Sequence, residues 1–197
     1  MKLLCCVDVH GDKRTLENIV YMSKYVDLVV CAGDLTNFEH NMKSLLKKLN
    51  TSKKKVLIIP GNHETPESLK KACKEFNNLI YLHKKHYVFK GVLFLGYGTG
   101  GFSMRDPEFV KTTSNFKKII KKHKGLPIVL ITHAPPYGTK ADFINGAHVG
   151  NKDIRKFIVK NNVLLSISGH LHETAGVVDR IRKTTVINPG VFMIVEI

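Results

Sequence analysis

Lys2-Leu3-Leu4-Cys5-Cys6-Val7-Asp8-Val9-His10-Gly11 opens the chain. Residues 2–7 form a short apolar run of strand length. It gives way to a carboxylate, an imidazole and a glycine, and then to a helical pattern over Lys13 to Tyr25, with Leu16, Ile19, Val20 and Tyr25 on its apolar side. Such a run, leading through a polar turn into an amphipathic helix, is the repeating unit of an α/β domain. The same unit recurs. Asp27 to Cys31 leads into Gly33-Asp34 and then a helix over Phe38 to Leu49, with Met42, Leu45, Leu46 and Leu49 at helical spacing. Val56 to Ile59, stopped by Pro60-Gly61, leads into Asn62 and a short helix from Pro66 to about Phe76. Ile128 to Thr132 ends at His133, and Val163 to Ser168 ends at Gly169-His170-Leu171-His172.

Between these units, Tyr87 to Lys90 and Val92 to Tyr97 flank Gly91 as a hairpin, and Pro107 to His123 is helical. Ala134 to Gly150 reads as a long irregular loop, a length that itself points to function. Asn151 to Val159 is helical, and three short strands finish the chain near Gly176 to Ile181, Thr184 to Ile187 and Val191 to Ile197. Helices dominate the first part and antiparallel strands the last. Two mixed sheets packed together, with helices outside, satisfy this pattern in one α/β domain spanning residues 1–197.

Composition bounds the function. Hydrophobic residues make up 43% and charged residues 24%, ordinary values for a globular protein. No apolar stretch approaches about 18 residues, so no membrane span is expected. Asp8 interrupts the first apolar run too early for a secretory h-region, and a cytoplasmic protein is expected. Cys5, Cys6, Cys31 and Cys73 form no C-x-x-C pair and read as buried thiols. The net charge of +15 invites a nucleic-acid partner. However, the lysines cluster on two predicted amphipathic helices, and no aromatics interleave with them as a stacking platform requires. Solvated helix faces are the favoured reading, nucleic acid the lesser one. The oligomeric state is left open, a homodimer included.

The strand ends carry the chemistry. Asp8, His10, Asp34, Asn62, His133, His170 and His172 are all metal-ligand types. Asp8-Val9-His10 and His170-Leu171-His172 each place two side chains on one side if the backbone is extended. Asp34 supplies a carboxylate able to bridge two ions, and Asn62 a neutral oxygen. Gly11, Gly33, Gly61 and Gly169 suit tight turns and close backbone approach. The mixed nitrogen and oxygen set fits two divalent transition-metal ions (Mn, Fe, Ni, Co or Zn) better than Mg or Ca. Such a pair clamps the attacking and leaving oxygens of an in-line displacement at phosphorus, with metal-bound hydroxide as nucleophile. His63, beside Asn62, is free to assist the leaving oxygen. Glu64 either orients His63 or caps the helix that follows. His148, in the long loop, is a candidate for binding phosphate. Arg105 and Arg155 read as surface ion pairs, and Asn188 as closing a turn.

In this order, Asp8-Val9-His10-Gly11, Gly33-Asp34, Gly61-Asn62-His63-Glu64, Thr132-His133-Ala134-Pro135-Pro136 and Gly169-His170-Leu171-His172-Glu173 resemble the calcineurin-like metallophosphoesterases. The resemblance spans residues 8 to 173. It implies a four-layer α/β/β/α sandwich and a dinuclear centre. One ion is expected on Asp8, His10, Asp34 and His172, and the second on Asp34, Asn62, His133 and His170, with His63 catalytic. Leu35-Thr36-Asn37-Phe38 lacks the second Asp and the Arg of the phosphoprotein phosphatase branch. Gly146-Ala147-His148-Val149-Gly150, with Asp153 and Arg155, looks more like small prokaryotic and archaeal members. That makes a phosphodiesterase of a small phosphoester, nucleotides included, the first expectation, ahead of a monoesterase. A nuclease of the same superfamily and a non-catalytic metal-binding interaction module are the alternatives. Specificity is expected in loops 98–105 and 134–150.

Overall fold

The computed structural model describes residues 1–101 and 103–197. In chain order the elements are β1 (Lys2–Cys6), α1 (Lys13–Met22), β2 (Leu28–Cys31), α2 (Met42–Asn50), β3 (Val56–Ile58), α3 (Pro66–Cys73), β4 (Leu79–Tyr81), β5 (Lys85–Phe89), β6 (Val92–Tyr97), α4 (Pro107–Lys122), β7 (Ile128–Thr132), β8 (Phe143–Ile144), β9 (Ala147–His148), α5 (Lys152–Asn161), β10 (Leu165–Ile167), β11 (Val178–Ile181), β12 (Thr184–Ile187) and β13 (Met193–Glu196). One sheet runs β13-β1-β2-β3-β4 and the other β11-β12-β10-β7-β6-β5. Within them β1 to β4 are mutually parallel, as are β6, β7, β10 and β12.

The alternation of strand side chains builds the layers. Leu3, Cys5 and Val7 point into the space between the sheets, where they join Leu28, Val30, Phe94, Val129, Ile131 and Ile167 in one buried cluster. Leu4 and Cys6 point the other way, onto Leu16 and Ile19 of α1 and Leu45, Leu46 and Leu49 of α2. On the outer face of the second sheet, Leu93, Leu95 and Leu130 meet Phe109 and Phe116 of α4 and Phe157 of α5. These three cores make the expected four layers. All four cysteines are free and buried. The lysines of α2 and α4 face solvent: Lys43, Lys47, Lys48, Lys117, Lys118, Lys121 and Lys122 are exposed. No helix among the described residues is long and apolar enough to cross a membrane.

Four details differ from the sequence reading. The second helix starts at Met42 rather than Phe38, because Phe38, Glu39 and Asn41 adopt left-handed backbone. Leu79–Tyr81 forms an edge strand beside β3, too short to announce itself by periodicity. The loop 134–150 is more ordered than expected: it carries a 3-10 turn over Lys140–Asp142 and the β8–β9 hairpin. The closing strands are not an antiparallel run. Only β11 opposes β12, β12 lies parallel to β10, and β13 crosses to the other sheet, antiparallel to β1.

His83, between β4 and β5, illustrates the cost of burying an imidazole. Its Nδ1 accepts the Gly98 N–H at 2.8 Å, and burial pulls its pKa down to about 4. The unfolded chain binds this proton more readily than the native one, so stability falls as pH drops from 6.5 to about 4. The expected loss from His83 alone is on the order of 3 kcal/mol. Urea unfolding in chelator across this window reads it out, with His83→Gln expected to flatten the pH slope. A variant slope as steep as that of the wild type would rule this out.

Candidate metal centre

The seven metal-ligand residues and His63 all sit just past the C-terminal ends of β1, β2, β3, β7 and β10, so the parallel strands of both sheets deliver them to one mouth. Ligand sites of open α/β sheets lie at this end of the strands. The loops after β1 and β2 are tied side by side: His10 N–H donates to Asp34 O at 3.0 Å and Gly11 N–H to Leu35 O at 2.9 Å.

Asp34 is the hub, 2% exposed. Its Oδ2 lies 3.3 Å from His133 Nε2, 3.9 Å from His10 Nε2 and 3.9 Å from His63 Nε2. On one side, Asp8, His10 and His172 converge closely enough to share an ion, with His10 Nε2 and His172 Nε2 only 3.1 Å apart. On the other, Asn62 Oδ1 lies 2.9 Å from both His133 Nε2 and His170 Nδ1. His148 is not drawn into this group. Its Nδ1 binds Asp142 Oδ1 at 2.9 Å, on a hairpin that packs against residues 172–174. Phe102, within loop 98–105, lies outside the described residues.

The backbone route differs from the extended one expected at both ends of the chain. Asp8, His10, Asp34 and His170 take φ values of 52°, 48°, 51° and 70°. His172 begins a 3-10 turn. Side chains therefore converge through left-handed turns and not through strand alternation. Left-handed backbone costs a residue with a Cβ roughly 1–3 kcal/mol, and such strain collects at functional sites. Two glycines permit the crowding. A Cβ on Gly61 would overlap Asp34 Oδ1, and one on Gly169 would overlap Val7 Cγ2 and sit 2.8 Å from Asp8 Oδ2.

Several observations fit a bound cation. Asp8 Oδ1 is buried with no hydrogen-bond partner among the described residues, which is costly for a carboxylate oxygen. His133 is fully buried, and its Nδ1 donates to the Ala32 carbonyl at 3.0 Å, leaving Nε2 aimed at Asp34 and Asn62. Metal-binding histidines are typically fixed in this way. Burial pushes Asp8 up, whereas in Asp34 the hydrogen bond and charge of His133 outweigh burial and hold the carboxyl below its usual range. Burial lowers His10, and burial with the His133 charge brings His170 down to about 4, so both imidazoles are neutral near pH 7. His133 is opposed by burial but raised overall by Asp34. A cation held here would compete with a proton for the His133 Nε2.

Glu64 has a different part from either expected one. It is 4% exposed, and Thr65 caps α3 instead, accepting from Ser68 N–H. Glu64 Oε2 accepts from Asp34 N–H at 3.1 Å and Gly61 N–H at 2.9 Å, while Oε1 accepts from Thr36 N–H at 2.7 Å and Thr36 Oγ1 at 2.8 Å. One buried carboxylate thus ties the loop after β2 to the loop after β3. Burial nevertheless pushes its pKa up. Two of the four donors are backbone N–H groups of a loop some 30 residues earlier, so residue spacing carries little signal for this role. Arg105 pairs with Asp153 at 2.8 Å, and Arg155 donates to the Tyr137 and Gly138 carbonyls. Asn188 accepts from Gly190 N–H and donates to Leu171 O, closing its turn and bracing the His172 segment.

The pattern of the calcineurin-like phosphoesterases matches residues 1–174. The uncharacterized protein MJ1162 of Methanocaldococcus jannaschii is 30% identical over 199 residues, covering 96% of this chain and 88% of that protein. The chain belongs to the calcineurin-like phosphoesterase family, a class of metal-dependent phosphoesterases. Its fold is similar to that of TT1561 of Thermus thermophilus, with a TM-score of 0.77 at 17% identity, over 96% of this chain and 88% of that one. It is also similar to phosphopantetheinyl hydrolase from Mycobacterium tuberculosis, with a TM-score of 0.63 at 14% identity, over 96% and 88% of the two chains.

Proposed function

We propose that this protein is a dinuclear-metal-dependent phosphodiesterase, with Asp8, His10, Asp34 and His172 holding one divalent ion and Asp34, Asn62, His133 and His170 the other. The observation that carries the reading is the position of Asp34 between two converging donor sets, each with at least one imidazole within 4 Å of its Oδ2. When bound, two such ions supply Lewis-acid charge and a water of lowered pKa.

His63 lies outside both sets and is the proton donor to the leaving oxygen. The Phe38 N–H donates to His63 Nδ1 at 3.3 Å, which leaves the ring proton on Nε2, the nitrogen nearer Asp34. The described residues of loops 98–105 and 134–150 form the walls of the substrate site. His148, held through Nδ1 by Asp142, offers its Nε2 from the second loop. The preference for diesters rests on charge. A dianionic monoester calls for a cation beyond the ions, and Arg105 and Arg155 are engaged elsewhere.

Metal analysis and turnover test this together. Protein loaded with Mn, Fe, Co, Ni or Zn is expected to hold two ions per chain. It is expected to hydrolyse bis-p-nitrophenyl phosphate more efficiently than p-nitrophenyl phosphate, with activity lost on chelation and regained on reloading. No turnover of either ester under any of these metals would sink the enzymatic reading and favour a metal-binding interaction module.

A further inference from the structure

Phe38 is a large aromatic residue that the fold does not bury. It is 77% exposed, the highest among the large hydrophobics of the described residues, yet it stands beside the centre. Its ring centroid lies 4.2 Å from that of His63 at an interplanar angle of 42°. Single exposed apolar residues are common on surfaces and need no explanation by themselves. Two features set this one apart.

The first is its backbone. Phe38 and Glu39 are consecutive left-handed residues, with φ of 48° and 62°. That conformation is unusual for a bulky side chain. It is enforced from several directions. Phe38 N–H donates to His63 Nδ1, and Glu39 N–H lies 3.1 Å from both the His63 carbonyl and Thr36 Oγ1. The Glu39 carboxylate accepts from Thr65 N–H at 2.7 Å. The turn that holds the Phe38 ring is therefore built on the same residue that is to protonate the leaving oxygen.

The second is what the ring could have done instead. Met42, one helical turn later, is buried in the core under α2. Residues 38–41 precede the first residue of that helix and leave Phe38 outside it. The outcome is an aromatic surface, open to solvent, in contact with the His63 ring.

We infer that Phe38 is a specificity-determining residue whose exposed face stacks on the leaving group, so that the preferred substrates are phosphoesters whose leaving group carries a planar aromatic or heteroaromatic ring, as a nucleoside does. The inference rests on His63 being the group that protonates the leaving oxygen. Stacking needs a flat π-face and little else, so it selects for planarity without selecting among bases.

The test compares p-nitrophenyl and trifluoroethyl diesters, reading KM and kcat separately. Intrinsic leaving-group reactivity cancels in the ratio of variant to wild type. All Phe38 variants keep the backbone N–H that orients His63, so a loss of ring stacking appears in KM. Phe38→Leu is expected to raise KM for the aryl ester about fivefold, given the strength of aromatic pairs, and to leave KM for the trifluoroethyl ester within about twofold. Phe38→Tyr is expected to restore the wild-type ratio. A merely structural role would shift kcat for both esters together and leave the KM ratio unmoved, which overturns the inference. The same preference is read without turnover by calorimetric binding of phenylphosphonate and methylphosphonate to manganese-loaded protein. Equal affinities in the wild type also overturn it, whereas failure to hydrolyse either ester counts against the phosphoesterase reading instead.

Discussion

His63→Ala is expected to lower kcat on a phosphodiester about 10²- to 10⁴-fold, the usual contribution of a general acid, while metal content stays at the wild-type level. The reasoning is geometric. His63 Nε2 faces the centre at 3.9 Å from the central carboxylate, and its other nitrogen is occupied by the Phe38 N–H. Its backbone N–H is already engaged with Asp34 Oδ1 at 2.9 Å, a contact that alanine keeps. The substitution therefore removes the acid and spares the hub. There is a rival assignment, because His10, Asp34 and His63 also converge closely enough to share a cation. The two roles separate cleanly. If His63 is a ligand, His63→Ala loses an ion; if it is the acid, both ions remain and only turnover falls. The acid deficit should also be smallest for esters with the most acidic leaving groups, since these depart with little help from a proton. A uniform deficit across leaving groups would remove His63 from the protonation step.

The strand-end placement of the donors was legible because the pattern is redundant. An apolar run followed by a ligand-type residue occurs after β1, β2, β3, β7 and β10, and all five strands exist close to where the pattern puts them. The layer arrangement was legible for a similar reason, since each strand and helix shows an apolar face that needs a partner. What could not be read is how the donors reach one another. The reading of Asp8 and His10 as alternate residues of an extended segment brought the two side chains together by the wrong path. The backbone turns left-handed at both, a conformation imposed by the neighbouring loop. The start of α2 was misplaced on the same ground. Met42, Leu45 and Leu49 announce a helix, but residues 38–41 are held out of it by bonds to Thr36 and His63. Local pattern gives way where function demands a particular backbone. The hold on His148 was not legible either: a histidine in a long loop does not announce that its Nδ1 binds a buried carboxylate, here that of Asp142.

Glu64 is where removing one atom's acceptor capacity should cost most outside the donors themselves. Four donors converge on its two oxygens, and three of them are backbone N–H groups that cannot turn away: those of Asp34, Thr36 and Gly61. In Glu64→Gln one oxygen becomes an amide nitrogen. It then confronts either the Asp34 and Gly61 N–H pair, donor against donor, or the Thr36 N–H beside a Thr36 hydroxyl that can turn to accept, in a site with almost no access to water. Each buried donor left unsatisfied costs about 1–3 kcal/mol, so a loss of about 1–3 kcal/mol is expected in the orientation that faces Thr36, the cheaper of the two. Asp34 belongs to the loop that Glu64 holds, and Gly61 adjoins Asn62, so the hub and one donor both lose their fixed positions. Metal affinity is expected to fall about 10- to 100-fold, as it does when groups supporting metal ligands are removed. Urea unfolding of the chelated protein isolates the first effect, and metal titration of the folded protein isolates the second. A reduction in stability without change in metal affinity would make Glu64 a structural clasp only. A variant that unfolds and binds metal like the wild type would show that the two loops hold their shape without it, and that the strained backbone at Asp34 is maintained by the sheet rather than by this carboxylate.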